Sequence, residues 1–157
     1  MKRSLLSVAT LLVISLAGLA LSAGAQAQKT RFTDNPQPPQ PLYTDFRGVR
    51  LGMTPQEVRA KLGNPVLKDE ELDYFVISDT LTAQIAYDHA HKVKTISVDY
   101  AGGVGAPEYR GVVGTALDTR PDGSQFKMMR YEAQGLWVSY NRTAGPVTIV
   151  TITIQKM

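Results

Sequence analysis

The second half of the chain alternates. Leu81, Ala83, Ile85 and Tyr87 are interleaved with Thr82, Gln84 and Ala86, and Ile96, Val98 and Tyr100 with Thr95, Ser97 and Asp99. A period of two places every second side chain on the same face, so each run predicts a strand with one buried side. With "ELDYFVIS" before them they make three runs rich in aromatic and β-branched residues, parted by Asp79-Thr80 and by the polar turn "DHAHK". After a glycine-rich joint, "AGGVGAP", come three more: "SQFKMMRY", "GLWVSYN" and "VTIVTITIQ", with turns at "EAQG" and "NRTAGP". The pattern predicts two antiparallel three-stranded meanders.

One stretch has the helical period instead. In "RLGMTPQEVRAKLGNP", residues 50–65, Thr54 is placed as an N-cap, Pro55 falls at the first helical position, and Glu57 completes a capping box. Met53 and Val58 are spaced as a hydrophobic staple, and Val58 and Leu62 share a face. Gly63 stands where a helix ends in a left-handed conformation, and Pro65 blocks continuation. A phosphate-binding loop would need its glycines together before the helix and a lysine at its opening. Here Gly52 precedes the helix and Gly63 follows it, so they punctuate. The expected fold is α+β: a short N-terminal helix packed on an antiparallel sheet made of the two meanders. "DFRGV" at 45–49 recurs as "EYRGV" at 108–112, the mark a degenerate tandem repeat would leave. In the second half only a stub of helix is expected, in "TALDT" before Pro121.

The first residues follow a different rule. Lys2 and Arg3 precede an uncharged apolar run from Leu5 to Leu21, and the small-residue sites Ala23-Gly24-Ala25 and Ala25-Gln26-Ala27 come next. This is the layout of an export signal, expected to span 1–27, with a retained membrane anchor as the competing reading. Pro36, Pro38, Pro39 and Pro41 then forbid regular pairing, so 28–42 reads as an extended tether, and 43–157 as the folded domain. Export predicts a periplasmic or secreted protein.

Charge and cysteine content narrow the partners. The chain carries 17 Lys and Arg against 14 Asp and Glu; without Lys2 and Arg3 the basic count is 15, a net charge of +1. Basic residues are spread among acids rather than gathered in a stripe, so nucleic acid is not an expected partner. There is no cysteine, which excludes disulfides, a thiol nucleophile and a lipid anchored through cysteine. Membrane association would be peripheral at most.

Candidate chemistry is sparse. No G-x-S-x-G is present, and "KDEELD" at 68–73 lacks the alternating ligands and central glycine of a calcium loop, reading instead as a solvated connection. His89 and His91, two apart beside Asp88, would project to one side if extended and are the positions a transition metal would take. No catalytic residue and no cofactor is assigned. Trp137 falls out of phase with Leu136, Val138 and Tyr140, which places it on the outer sheet face; Arg130 and Tyr131 across the turn complete a candidate protein-binding patch.

"LGMTPQEVRAKLGNP" followed by a meander resembles the SmpA/OmlA (BamE-like) envelope domain and the related fold of β-lactamase-inhibitor proteins, through Gly52, Met53, Thr54, Glu57, Val58, Leu62, Gly63 and Pro65. The resemblance covers the first half of the processed chain. It implies a non-enzymatic protein that works in outer-membrane protein assembly or maintenance, or one that presents a sheet face to an enzyme. The missing lipidated cysteine departs from the BamE-like pattern. The sequence therefore leads to an exported, non-catalytic binding module whose partner is another envelope or secreted protein. An inhibitor of a secreted or periplasmic hydrolase, and a metal-dependent enzyme, are the alternatives.

Overall fold

In the computed structural model the described residues are 38–157. The expected signal at 1–27 and most of the expected tether lie outside them. Pro38 to Leu42 carry no helix or strand, and Tyr43 is the first residue packed against the core.

Each half starts with a helix and continues into four strands. The first half is α1 (Pro55–Leu62), β1 (Leu67–Lys68), β2 (Leu72–Ser78), β3 (Leu81–Tyr87) and β4 (Val93–Ala101). The second is α2 (Tyr109–Val113), β5 (Asp118–Thr119), β6 (Gln125–Tyr131), β7 (Leu136–Arg142) and β8 (Ile149–Lys156). All eight strands join one antiparallel sheet in the order β1-β2-β3-β4-β8-β7-β6-β5. The architecture is mostly β. Read inward from either edge, the sheet gives the strands of one half in chain order, and the halves meet where β4 pairs with β8, Val98 opposite Ile152.

The six long strands occupy the segments that alternation picks out. The two-residue edge strands and α2 do not appear in the sequence pattern; both residues of β1 and of β5 are exposed, so these strands have no buried phase to betray them. "TALDT" supplies β5 rather than a helical stub; the second helix forms earlier, over "YRGVV". The recurrent motif also splits in conformation. Phe46 to Val49 is a tight hairpin in which each amide donates to the other's carbonyl, with Arg47 and Gly48 both at positive φ, whereas Tyr109 to Val113 is helical. Both copies nonetheless bury their valine, Val49 and Val112.

Helix α1 forms as its caps dictate. The Glu57 amide donates to Thr54 Oγ1 at 3.3 Å and the Thr54 amide to Glu57 Oε2 at 2.7 Å. Gly63 takes φ 85°, open to glycine, but with an extended ψ of −156° rather than the left-handed helical value, and its amide closes on the Arg59 carbonyl. Gly52 at φ 84° turns the chain so that its amide meets the Val93 carbonyl while Met53 accepts from Val93. The helix is thus tied to the first residue of β4.

The core lies between the helices and one sheet face. Val58 of α1 and Val112 and Val113 of α2 join Phe75, Ile85, Tyr87, Ile96, Val98, Ile152 and Ile154 in a single cluster. Asp73 enters the same layer, fully buried. The expectation of a solvated connection at 68–73 fails there: the Arg59 guanidinium reaches down from α1 and donates to both Asp73 oxygens at 2.8 Å, and the Tyr87 hydroxyl donates to Oδ2 at 2.8 Å. The buried carboxylate is satisfied on three sides, as burial of a charge requires.

Candidate functional site

The opposite sheet face carries no helix among the described residues. Register fixes its composition. One row runs Val76, Thr82, Asp99, Thr151, Asn141, Phe126 across six strands; the next runs Leu67, Tyr74, Gln84, Ser97, Thr153, Ser139, Met128; a third runs Leu72, Ala86, Thr95, Gln155, Trp137, Arg130. Alternation alone would make this the water side of the sheet, and its middle is indeed threonine, serine, asparagine and glutamine.

Two cross-strand hydrogen bonds hold that middle. Thr151 Oγ1 donates to Asp99 Oδ1 at 2.7 Å, and the hydroxyls of Ser97 and Thr153 meet at 3.2 Å. Both bridge β4 to β8. Side-chain pairs of this kind add to the backbone ladder and stiffen the seam between the halves.

The flanks are apolar. On the first half Leu67 and Val76 are each 53 % exposed beside Tyr74 and Leu72; on the second, Met128 lies with Phe126 and Trp137, and the Arg120 guanidinium sits 5.0 Å from the Phe126 ring centroid. Among the described residues nine large hydrophobics stand exposed, and four of them (Leu67, Val76, Met128 and Ile149) have the register of this face. Single exposed hydrophobics need no explanation, but a grouping on one face marks a surface suited to contact.

The sequence-predicted patch is divided by this geometry. Arg130 and Trp137 are direct cross-strand partners on the open face. Tyr131 pairs with Leu136 instead and is buried in the core, so it leaves the patch. Its burial pushes the hydroxyl above the ordinary tyrosine range. The signal was in the alternation itself: consecutive residues 130 and 131 of one strand cannot share a face. Met128 and Phe126, two and four positions before Arg130, are the residues that period two adds.

His89 and His91 sit in the turn between β3 and β4. Asp88 organises it, its Oδ1 accepting from the Ala90 and Lys92 amides at 3.0 Å each, and these bonds hold its carboxyl below the usual range. His91 has φ 52°, so the pair is not extended as a shared-side metal arrangement would require. Among the described residues no three His, Cys, Asp or Glu side chains come together as a metal-holding group.

No protein-family model, curated protein or solved structure matches this chain. The functional reading therefore rests on its own residues.

Proposed function

We propose that this chain is an exported, non-catalytic protein-binding module of the bacterial cell envelope that receives a partner protein on the open sheet face. The observation that carries the proposal is the layout of that face, a hydroxyl- and amide-rich centre between two apolar flanks. Six long strands about 4.8 Å apart and about seven residues long make a surface on the order of 24 Å by 24 Å before side-chain relief. That is about 580 Å² in plane, which side-chain relief raises toward the ~800 Å² per partner of a standard protein interface. Trp137 and Met128 are the candidate anchors, Arg130 the charged rim beside them, and the threonine rows supply hydrogen bonds.

Export is supported by the charged start, apolar run and small-residue sites of residues 1–27. A BamE-like or inhibitor-like origin is supported by the recurrence of helix, short strand and three long strands in each half, which is what duplication of one α+β unit would produce. A role in outer-membrane protein assembly or maintenance follows from that resemblance. The same face serves a second reading, inhibition of a secreted hydrolase, favoured by the absence of a cysteine for lipid attachment.

Cross-linked capture from the producing cells tests the proposal, comparing the wild-type chain with Trp137→Ala, Met128→Ala and, on the helix side, Arg110→Ala. A partner recovered with wild type and Arg110→Ala but reduced at least several-fold by both open-face changes supports it. Equal recovery with all four chains contradicts it. Inhibition by the purified chain of a hydrolase so recovered selects the second reading.

A further inference from the structure

The helix-covered side of the sheet has a gap at one end. Helix α2 has five residues where α1 has eight, and it packs on β7 and β6. Beyond its first residue the ends of β7 and β8 are uncovered, leaving a cleft of 330 Å³ bordered by the 102–107 loop, Glu108 and Leu117. The volume falls at the small end of ligand sites.

Arg142 is the residue that gives the cleft its chemistry. In register it lies between Val150 and Gln125 and in phase with Tyr140 and Val138, the phase that further along β7 is buried. Here the inward side chain is a guanidinium lining the cleft. Glu108 borders the same cleft. Neither makes an ion pair among the described residues, where the pairs are Arg59 with Asp73, Lys127 with Asp118, and Lys156 with Asp88. A cation and an anion thus border one cleft without closing on each other. Tyr140 lines the cleft with them, and burial first of all raises its hydroxyl above the ordinary tyrosine range. Tyr140 and Tyr109 form the aromatic wall, their rings edge to face with centroids 6.3 Å apart.

We propose that this cleft is a binding site for a small zwitterion, a free α-amino acid or a dipeptide. The ligand carboxylate sits on Arg142, whose planar fork matches a carboxylate in two hydrogen bonds. Its ammonium sits by Glu108, and its side chain lies against Tyr109, Tyr140 and Leu117. Gln125, beside Arg142 on β6, supplies a further donor and acceptor. The site is separate from the open face, so its fate and that of the docking proposal are decided independently.

The test is isothermal titration calorimetry on the full chain with a panel of free L-amino acids and glycyl dipeptides, each also N-acetylated and C-amidated. At least one free ligand should bind, and blocking either end should weaken it about tenfold, the loss of one charge-assisted contact. In Arg142→Leu the amidated and free forms should bind alike; in Glu108→Gln the acetylated and free forms should. Both residues are exposed at the cleft rim, so neither change removes core packing. Absence of any heat at millimolar ligand overturns the proposal, as does binding that ignores both blocks and both substitutions.

Discussion

Replacing Asp73 by alanine removes the acceptor for three hydrogen bonds at once. The carboxylate is fully buried, and the change leaves the Arg59 guanidinium and the Tyr87 hydroxyl facing an empty polar site beneath α1. Breaking a buried ion pair from one side costs about 3–5 kcal/mol. Arg59 keeps 25 % of its side chain in solvent and can turn outward, which reduces its share, while Tyr87 has no such exit. The expected loss for Asp73→Ala is therefore about 2–4 kcal/mol. Arg59→Met should cost about 3–5 kcal/mol, because it strands the buried carboxylate itself. The paired change Arg59→Met with Asp73→Ala removes both charges and leaves neither stranded, and should recover at least half of the summed losses. Urea denaturation of the four chains gives each value. A loss under about 1 kcal/mol for Asp73→Ala, or single losses that simply add in the pair, would refute the argument that this network pins α1 to the sheet.

Thr54→Ala removes the acceptor of the capping box and should cost about 1 kcal/mol in the same assay. It should flatten the acid side of the stability profile only in part: the Thr54 amide first and its hydroxyl second hold the Glu57 carboxyl below its usual range, a contribution present above the unfolded value and lost as pH falls through the folded one, and alanine removes only the hydroxyl's share. Gly52→Ala should cost about 1–2 kcal/mol from backbone strain alone, because the residue sits at φ 84° while an added Cβ would meet nothing within 4 Å. Burial raises the hydroxyls of Tyr43, Tyr87, Tyr100, Tyr131 and Tyr140. Folding energy from these groups is complete below the unfolded value near pH 10 and declines above it, so tyrosinate absorbance should rise together with loss of the native circular dichroism. Free titration of all five near pH 10 in a chain that stays folded would contradict their burial.

The strands were legible because the runs of β3, β4 and β8 alternate between a buried and a more open phase and the others are rich in aromatic and β-branched residues between turn signals, and α1 because its caps are local chemistry. What stayed hidden depends on distance. Asp73 reads as the end of a charge run until Arg59, fourteen positions earlier, and Tyr87, fourteen later, close around it. The joining of β4 to β8 links residues 56 positions apart through Ser97 and Thr153, with no local sign in either strand. Edge strands of two exposed residues have no period to detect. Half of the candidate patch was visible as Trp137 and Arg130; Tyr131 was misplaced because adjacency in sequence was read as adjacency on a face, and the sheet forbids it.

The most direct test of the docking surface is a photocrosslinker placed at single positions in the producing cells. Gln84, Met128 and Gln155 probe the open face, and Lys61 and Arg110 probe the helix side. The account predicts one partner protein crosslinked from the open-face positions and absent from the helix-side ones. Crosslinks of equal strength from both sides, or from the helix side alone, would contradict it.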